Sequence, residues 1–490
     1  MKTIKQLSTV LTLAFGLLTI NTNAQTQVGI DIDGEAANDY SGVFISMPDA
    51  TTVAIGADGN DGNGSYAGHV RIYTWNGSAW VQKGIDIDGE AAGDNSGESV
   101  SMPDANTVAI GAYWNDGNGF NSGHVRIYIW NGSAWVQKGL DIDGEAAGDF
   151  SGWSVSMPDA NTVAIGGFGN DGNGSEAGHV RVYSWNGSAW VQKGLDIDGE
   201  AADDRSGHVS MPDANTVGIG AINNDGNGSD AGHVRIYSWN GSAWVQKGID
   251  IDGEAANDYS GVFISMPDAN TVAIGAFNND GNGSNAGHVR VYTWNGSAWV
   301  QKGIDIDGEA AGDFSGVVSM PDANTVAIGA YFNIGNGPGA GHVRIYTWNG
   351  SAWVQKGIDI DGEAAYDFSG VVSMPDANTV AIGADENDGN GSDAGHVRIY
   401  SLSNVGIIEN TFGDELMVFP NPTKGELSIS LGASYNDVNI ISRNVTGQEI
   451  LNKTYSSANN INITLEGEAG IYFVEIRSGT KKTVLKVIKE

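Results

Sequence analysis

Residues 148–202 read GDFSGWSVSMPDANTVAIGGFGNDGNGSEAGHVRVYSWNGSAWVQKGLDIDGEAA, and near-copies of this stretch recur every 54 or 55 residues. The second Asp of the IDIDGE or LDIDGE run falls at Asp33, Asp88, Asp143, Asp198, Asp252, Asp307 and Asp361. The GHVRIY or GHVRVY run begins at Gly68, Gly123, Gly178, Gly232, Gly287, Gly341 and Gly395. Both landmarks count seven copies. A fixed period of this size marks supersecondary units that bury their apolar faces only against one another.

Within the unit, four strand-like runs are separated by turn chemistry. The first is Trp153 to Met157, closed by the turn Pro158-Asp159-Ala160-Asn161. The second, Thr162 to Ile165, is apolar on both faces, as suits a strand covered on both sides. A Gly-rich loop, Asn170 to Ser175, leads to the third run, His179 to Trp185, which alternates. Asn186-Gly187 signals a hairpin into the fourth run, Ala189 to Lys193. Four short antiparallel strands per unit make a propeller blade, so the expected fold is all-β, a seven-bladed β-propeller over residues 25–403. The seventh copy stops at Tyr400, before its fourth run, while Gln27 to Asp31 matches the end of that run. The N-terminal strand is therefore expected to complete the last blade, leaving no exposed edge.

The run DFSGWSVS…TVAIGG…AGHVRVY resembles the FG-GAP repeat of integrin-type propellers in its bacterial variant. The resemblance implies a binding or adhesion platform, and it speaks more strongly to fold than to function. It also implies a calcium loop between the first two strands of a blade. Here that loop is only PDAN, with one Asp, so the family's metal site does not carry over.

Outside the repeats, residues 1–24 read as a secretory signal peptide: Lys2 and Lys5, an apolar Val10 to Ile20, then Thr22-Asn23-Ala24. No other stretch is apolar enough for a transmembrane segment. Residues 404–414 form a linker. Residues 415–490 hold alternating runs at 426–431, 439–443, 461–465, 471–476 and 483–488, the pattern of a small Ig-like β-sandwich. This module resembles the type IX secretion C-terminal sorting domain of the Bacteroidetes group. The pieces that carry the likeness are VFPNPTKGEL with Pro420, Asn421, Pro422 and Gly425, a VTGQEI turn with Gly447, GIYFVEI with Gly470 and Tyr472, and the basic final strand with Lys486 and Lys489. The resemblance implies export to the cell surface or medium, with the secretion machinery as partner.

The chain has no Cys, which excludes thiol catalysis and thiolate metal sites. Its net charge is −35. Residues 25–403 alone carry 49 Asp and Glu against 14 Lys and Arg, a balance that repels nucleic acid and favours cations or basic partners.

The link between blades, DIDGEAAxD, places carboxylates at positions 1, 3, 5 and 9 of a Gly-containing loop, the donor type that calcium requires. The candidate ligands are Asp31, Asp33, Glu35 and Asp39, then Asp86, Asp88, Glu90 and Asp94, then Asp141, Asp143, Glu145 and Asp149, and their later equivalents. The competing reading is a solvated acidic rim whose Asp and Asn side chains cap turns. In an up-and-down blade these links share a face with the NDGNGS loops, so most of the acids gather at one end. The seven repeated His (His69 to His396) are expected to make identical structural hydrogen bonds. The paired Trp of each hairpin, such as Trp75 and Trp80, suit cross-strand packing or a sugar-stacking rim. Catalysis needs different groups converging at one point, and few positions break the sevenfold pattern: Asn95, Glu98, Trp114, Trp153, Arg205 and His208. Among these, Arg205 and His208 lie near an inner strand, but no Ser/His/Asp set or matched carboxyl pair is legible. The sequence thus reads as an exported, non-enzymatic binding or adhesion propeller for polysaccharide, cell-surface or matrix material. The alternatives are a structural surface protein without a specific ligand and, last, a propeller hydrolase or lyase.

Overall fold

The computed structural model describes residues 25–402, 412, 416–444, 449–479 and 481–490. The signal segment, most of the linker and Gly447 lie outside these residues. The chain divides into two units, one spanning Gln25–Ser403 and another containing the C-terminal residues from Asn404 onward.

The first unit is a ring of seven antiparallel sheets. In blade 1 the strands run Ile45–Asp49, Thr52–Ala57, His69–Trp75 and Trp80–Gln82, from the channel outward. Every residue of the second strand is buried in all seven blades, as its two-faced apolar sequence requires. Each blade also gains a fifth, two-residue strand that the sequence does not announce. Ile87–Asp88 in the link folds back onto His69 and Val70 of the third strand.

The cores lie between blades. Val70, Ile72 and Ile87 of blade 1 pack against Val100, Met102, Val108 and Ile110 of blade 2, and the pattern repeats round the ring. Close approach demands glycine at Gly56, where an added Cβ would lie 2.0 Å from the Gly97 carbonyl oxygen of the next blade. A closed circle of hydrogen bonds joins the innermost strands. Met102 N–H donates to Ser46 Oγ at 2.9 Å, Met157 to Ser101, Met211 to Ser156, and so on to Met47, which donates to Ser373 at 3.0 Å. The ring closes through the N-terminus: Thr26–Gln27 pairs with Tyr400 and Ser401 of blade 7, and Ile32 pairs with Val397.

The copies differ in length at one place. Blade 3 has Trp153-Ser154-Val155 where blade 4 has His208-Val209, and blades 6 and 7 are shortened likewise. In blades 4 and 6 the innermost strand runs unbroken from Ser206 to Asp213 and from Ser315 to Asp322, and in blade 7 it runs from Val371 to Asp376. The alternation of 54 and 55 residues is therefore written on the channel wall.

The C-terminal unit is a five-stranded sheet: Met417–Phe419, Glu426–Asn444, Glu449–Thr464, Gly470–Ser478 and Lys481–Lys489. The runs read as separate strands at 426–431 and 439–443 are one long strand. Its pairing with the next strand shifts between Ser430 and Tyr435 and then resumes, so the hydrogen-bond ladder carries through. Both halves feed one core, with Leu427, Ile429 and Leu431 beside Ile440, Val474 and Ile476. Asn421 straps the NPT segment to the last strand, accepting from Ile488 N–H and donating to the Lys486 carbonyl, both at 2.9 Å. Pro420 and Pro422 are exposed beside it, Gly425 takes a φ of 122°, and Gly470 opens the fourth strand. Tyr472 is buried and donates to the Glu468 carbonyl at 2.7 Å, Lys489 Nζ reaches the Leu465 carbonyl, and Lys486 is exposed.

Candidate binding site at the channel mouth

The links and the Gly-rich loops share one end of the ring and are hydrogen-bonded to each other. Asn390 Nδ2 donates to the Gly34 carbonyl and Asn63 Nδ2 to the Gly89 carbonyl, each at 2.8 Å. The seven Asp of the PDAT and PDAN turns lie at the strand ends opposite, where they cap those turns. Asp49 Oδ1, for example, accepts from Thr51 N–H at 2.7 Å.

The four carboxylates of one link do not converge. Asp39 is buried and folds back to accept from the backbone N–H groups of Glu35 and Ala36, at 3.0 and 2.8 Å. Asp94 and Asp149 do the same in their loops, and each also takes a neighbouring Asn side chain, Asn115 or Asn170. Asp31 accepts from Gln27, Asp86 from Gln82 and Asp141 from Gln137. The carbonyls, not the carboxylates, of Asp33, Asp88 and Asp143 take the Arg71, Arg126 and Arg181 guanidinium groups, at 2.7 Å. Asp149→Ala is therefore expected to destabilise the protein by about 1–3 kcal/mol, because it orphans buried donors. A denaturant melt measures it, and a neutral result would show that water replaces the carboxylate.

What does converge is a carboxylate from each of two links around a buried His, as in Glu35, His69 and Asp86, in Glu90, His124 and Asp141, and in Asp31, Glu363 and His396; at His179 the pair Glu145 and Asp149 comes from one link. The expected His hydrogen bonds are not made. Nε2 of all seven has no hydrogen-bond partner, and Nδ1 stands 3.8–4.0 Å from the nearest Glu oxygen. Burial, then the adjacent Arg charge, lowers each imidazole pKa to about 4, so the rings are neutral at pH 7. The same Arg already places a cation near each Glu, with Arg71 Nη1 3.8 Å from Glu35 Oε1.

The paired Trp are committed to joining blades. Trp135 Nε1 donates to the Lys83 carbonyl of the preceding blade at 2.7 Å, and Lys83 Nζ lies 5.3 and 5.2 Å from the ring centres of Trp130 and Trp135.

The sevenfold pattern fails at the channel. The position after the buried link Asp is Tyr40, Asn95, Phe150, Arg205, Tyr259, Phe314 or Phe368. The two positions after the second strand are Asp58-Gly59, Tyr113-Trp114, Phe168-Gly169, Ile222-Asn223, Phe277-Asn278, Tyr331-Phe332 and Asp385-Glu386. Their aromatic rings form two arcs around the mouth. Trp114 meets Phe150 edge to face at 5.4 Å, and Phe150 and Phe168 stack in parallel at 4.8 Å. Tyr259, Phe277, Phe314, Phe332 and Phe368 follow at 4.9–6.2 Å. Arg205 ends the first arc over Phe168, paired with Glu176 at 2.7 Å, so it does not enter the channel. His208 does, standing edge-on to Trp153 and held neutral by burial with a pKa of about 4.

Below the collar lies a cavity of about 340 Å³, walled by Val, Ile and Phe side chains of the innermost strands together with Glu98 and Tyr331. A second hollow of about 250 Å³ adjoins it through Val43, Tyr331 and Val371 and is lined by Phe332, Phe368, Asp385 and Glu386. Here the structure corrects the sequence reading, because a carboxyl pair does exist. The Asp58 charge acts on Glu98 across the blade boundary, and Asn95 Nδ2 donates to Asp58 at 3.1 Å. Burial first, and then the Asp58 and Asp385 charges, push Glu98 well above the carboxylate range. Burial also raises Asp385, to about 7, with Glu386, Asp58 and Asp393 adding to the rise. The sequence reading missed Asp58, Asp385, Glu386, Phe332 and Phe368. Their signal was disagreement among otherwise matching copies.

The FG-GAP repeat model matches residues 81–128, from the outer strand of blade 1 through most of the third strand of blade 2. The model of the secretion system C-terminal sorting domain matches residues 417–490, all five strands of the second unit. The chain carries an FG-GAP repeat and a sorting domain. That sorting domain marks an exported protein of the cell surface or the extracellular space and implies contact with the secretion machinery. No helix among the described residues is long and apolar enough to cross a membrane. Among solved structures, the FG-GAP chain is similar to a putative 6-phosphogluconolactonase from Bacteroides uniformis, at 9% identity over 65% of this chain and 85% of that one, with a TM-score of 0.46. It is similar to the β-propeller domain of the trilobed protease from Pyrococcus furiosus at 11% identity, over 69% and 88%, with a TM-score of 0.44. It is also similar to PorZ, a surface component of the type IX secretion system of Porphyromonas gingivalis, at 10% identity over 91% and 81%, with a TM-score of 0.18. No curated protein matches the chain.

Proposed function

We propose that this is an exported binding protein whose propeller holds its ligand at the channel mouth. The observation that carries the reading is where the copies differ. Strands, hairpins and links are nearly identical round the ring, whereas the differing side chains meet over one cavity. Identical scaffold with divergent residues on loops at one end is how a rigid fold presents a recognition surface. The candidate ligands are polysaccharide or other cell-surface and matrix material. Calcium on the acidic links remains a proposal too, tested by a calcium titration with thermal melting in calcium and in chelator.

The test of the binding reading is retention of the mature chain on polysaccharide and matrix preparations. Saturable retention is expected, with at least tenfold weaker binding after Trp114→Ala with Phe150→Ala, because aromatic contact surface is lost. Non-saturable retention would favour a structural surface protein instead. Removal of residues 417–490 is expected to leave the propeller inside the cell envelope, which fractionation detects. Its appearance in the medium at the normal level would sink the role of the sorting module. The Asp58–Glu98 pair favours hydrolysis as the second reading, and release of reducing ends that depends on Glu98 would support it.

A further inference from the structure

The hollow at the mouth between blades 6, 7 and 1 differs from the rest of the collar. Phe332 and Phe368 stand edge to face at 4.9 Å on one side, and Asp385 and Glu386 line the other. Asp58 Oδ1 is buried without a hydrogen-bond partner, and the Asp58 charge helps to raise Asp385. The only Arg of the collar, Arg205, is engaged with Glu176. Tyr331 is held as a neutral phenol by burial and the nearby acids. The hollow opens past Val43, Tyr331 and Val371 into the apolar cavity of about 340 Å³. Aromatic faces beside carboxylates attract an organic cation, and the largely apolar chamber beneath suits its hydrocarbon part. Inorganic cations gain nothing from such a chamber.

Resting on the reading of the mouth as the ligand site, we propose that this hollow binds a small organic cation: an ammonium group held between Phe332, Phe368, Asp385 and Glu386, on an apolar stem that descends into the channel. Asp385 and Glu386 of blade 7 line the hollow, and Asp393 of the same blade, Asp58 of blade 1 and Glu98, just before the innermost strand of blade 2, act on Asp385 or are acted on by it through charge. Because Asp385 is protonated in part near pH 7, affinity rises from pH 6 to pH 8 as its carboxylate forms.

The experiment is calorimetric titration of the mature full chain with hexylammonium and hexyltrimethylammonium, against hexanoate, hexanol, calcium and a short peptide with one central Lys. Saturable binding of one ammonium ion per chain is expected, at least tenfold weaker for Asp385→Asn with Glu386→Gln, and absent for hexanoate. Thermal melting of that variant checks that it folds. Equal binding of hexanol, heat from calcium but not from the amines, or binding of the Lys peptide alone would each overturn the proposal. If the ammonium ions fail while retention on polysaccharide still depends on Trp114 and Phe150, only the ligand class falls. If both fail, the binding reading falls with it.

Discussion

A mature chain that begins at Gly34, lacking residues 25–33, is expected to lose its cooperative unfolding transition at physiological temperature. These nine residues make the outer strand of blade 7 and the link into blade 1. Their removal strips the partners of Tyr400 and Ser401 and of His396 and Val397. It removes Ile32, buried in the core between blades 7 and 1 with Val53, Ile55, Val397 and Ile399. A buried Ile is worth about 2–5 kcal/mol against Ala. Trp80 Nε1 loses the Val28 carbonyl and Arg71 loses the Asp33 carbonyl, two further buried or half-buried donors at about 1–3 kcal/mol each. Together these come to about 4–11 kcal/mol, comparable with the net stability of a typical domain. It also reopens an edge that invites association between chains. Calorimetry and light scattering of the truncated chain measure both effects. Adding the peptide 25–33 in trans should restore part of the transition, and a truncated chain that melts like the full one would show that the seven-bladed ring does not depend on its closure.

Asp385→Asn is expected to stabilise the protein at neutral and alkaline pH and to leave it unchanged in acid. Burial raises this carboxyl from 3.8 to about 7 in the folded state. The folded chain therefore binds the proton more tightly than the unfolded chain. Stability from this group is fully present below the unfolded value near 4 and is lost as pH rises through 7. A shift of this size corresponds to about 4 kcal/mol. Asn keeps the shape and carries no charge, so the variant escapes the loss. Melting temperatures of both proteins between pH 4 and pH 8 decide it. A gap that widens with pH is the expected result, whereas a constant gap would show that Asp385 titrates normally.

The six copies of TVAIG, the TVGIG of blade 4 and the seven copies of GHVR were enough to assign a ring of blades, because a strand apolar on both faces must be covered by neighbours and only repetition supplies them. The missing fourth strand after Tyr400 and the spare strand at Gln27 likewise pointed to how the ring closes. The likeness of 415–490 to a sorting domain was legible in short runs of residues, since turns such as PNP demand particular side chains.

The roles of individual acids were not legible. Asp31, Asp33, Glu35 and Asp39 lie close in sequence, yet Asp39 turns inward to cap its loop while Glu35 leans toward a His and an Arg on the next blade. Which carboxylates meet depends on how blades sit side by side, and pattern within one copy is silent on that. The pairing of Asp58 with Glu98, from different blades, and the gathering of Asp385 with Phe332 and Phe368 follow only from closing the ring. Local sequence chose the strands and turns because those forces act over a few residues. Tertiary structure alone chose the site, because a channel mouth exists only once seven inner strands surround it.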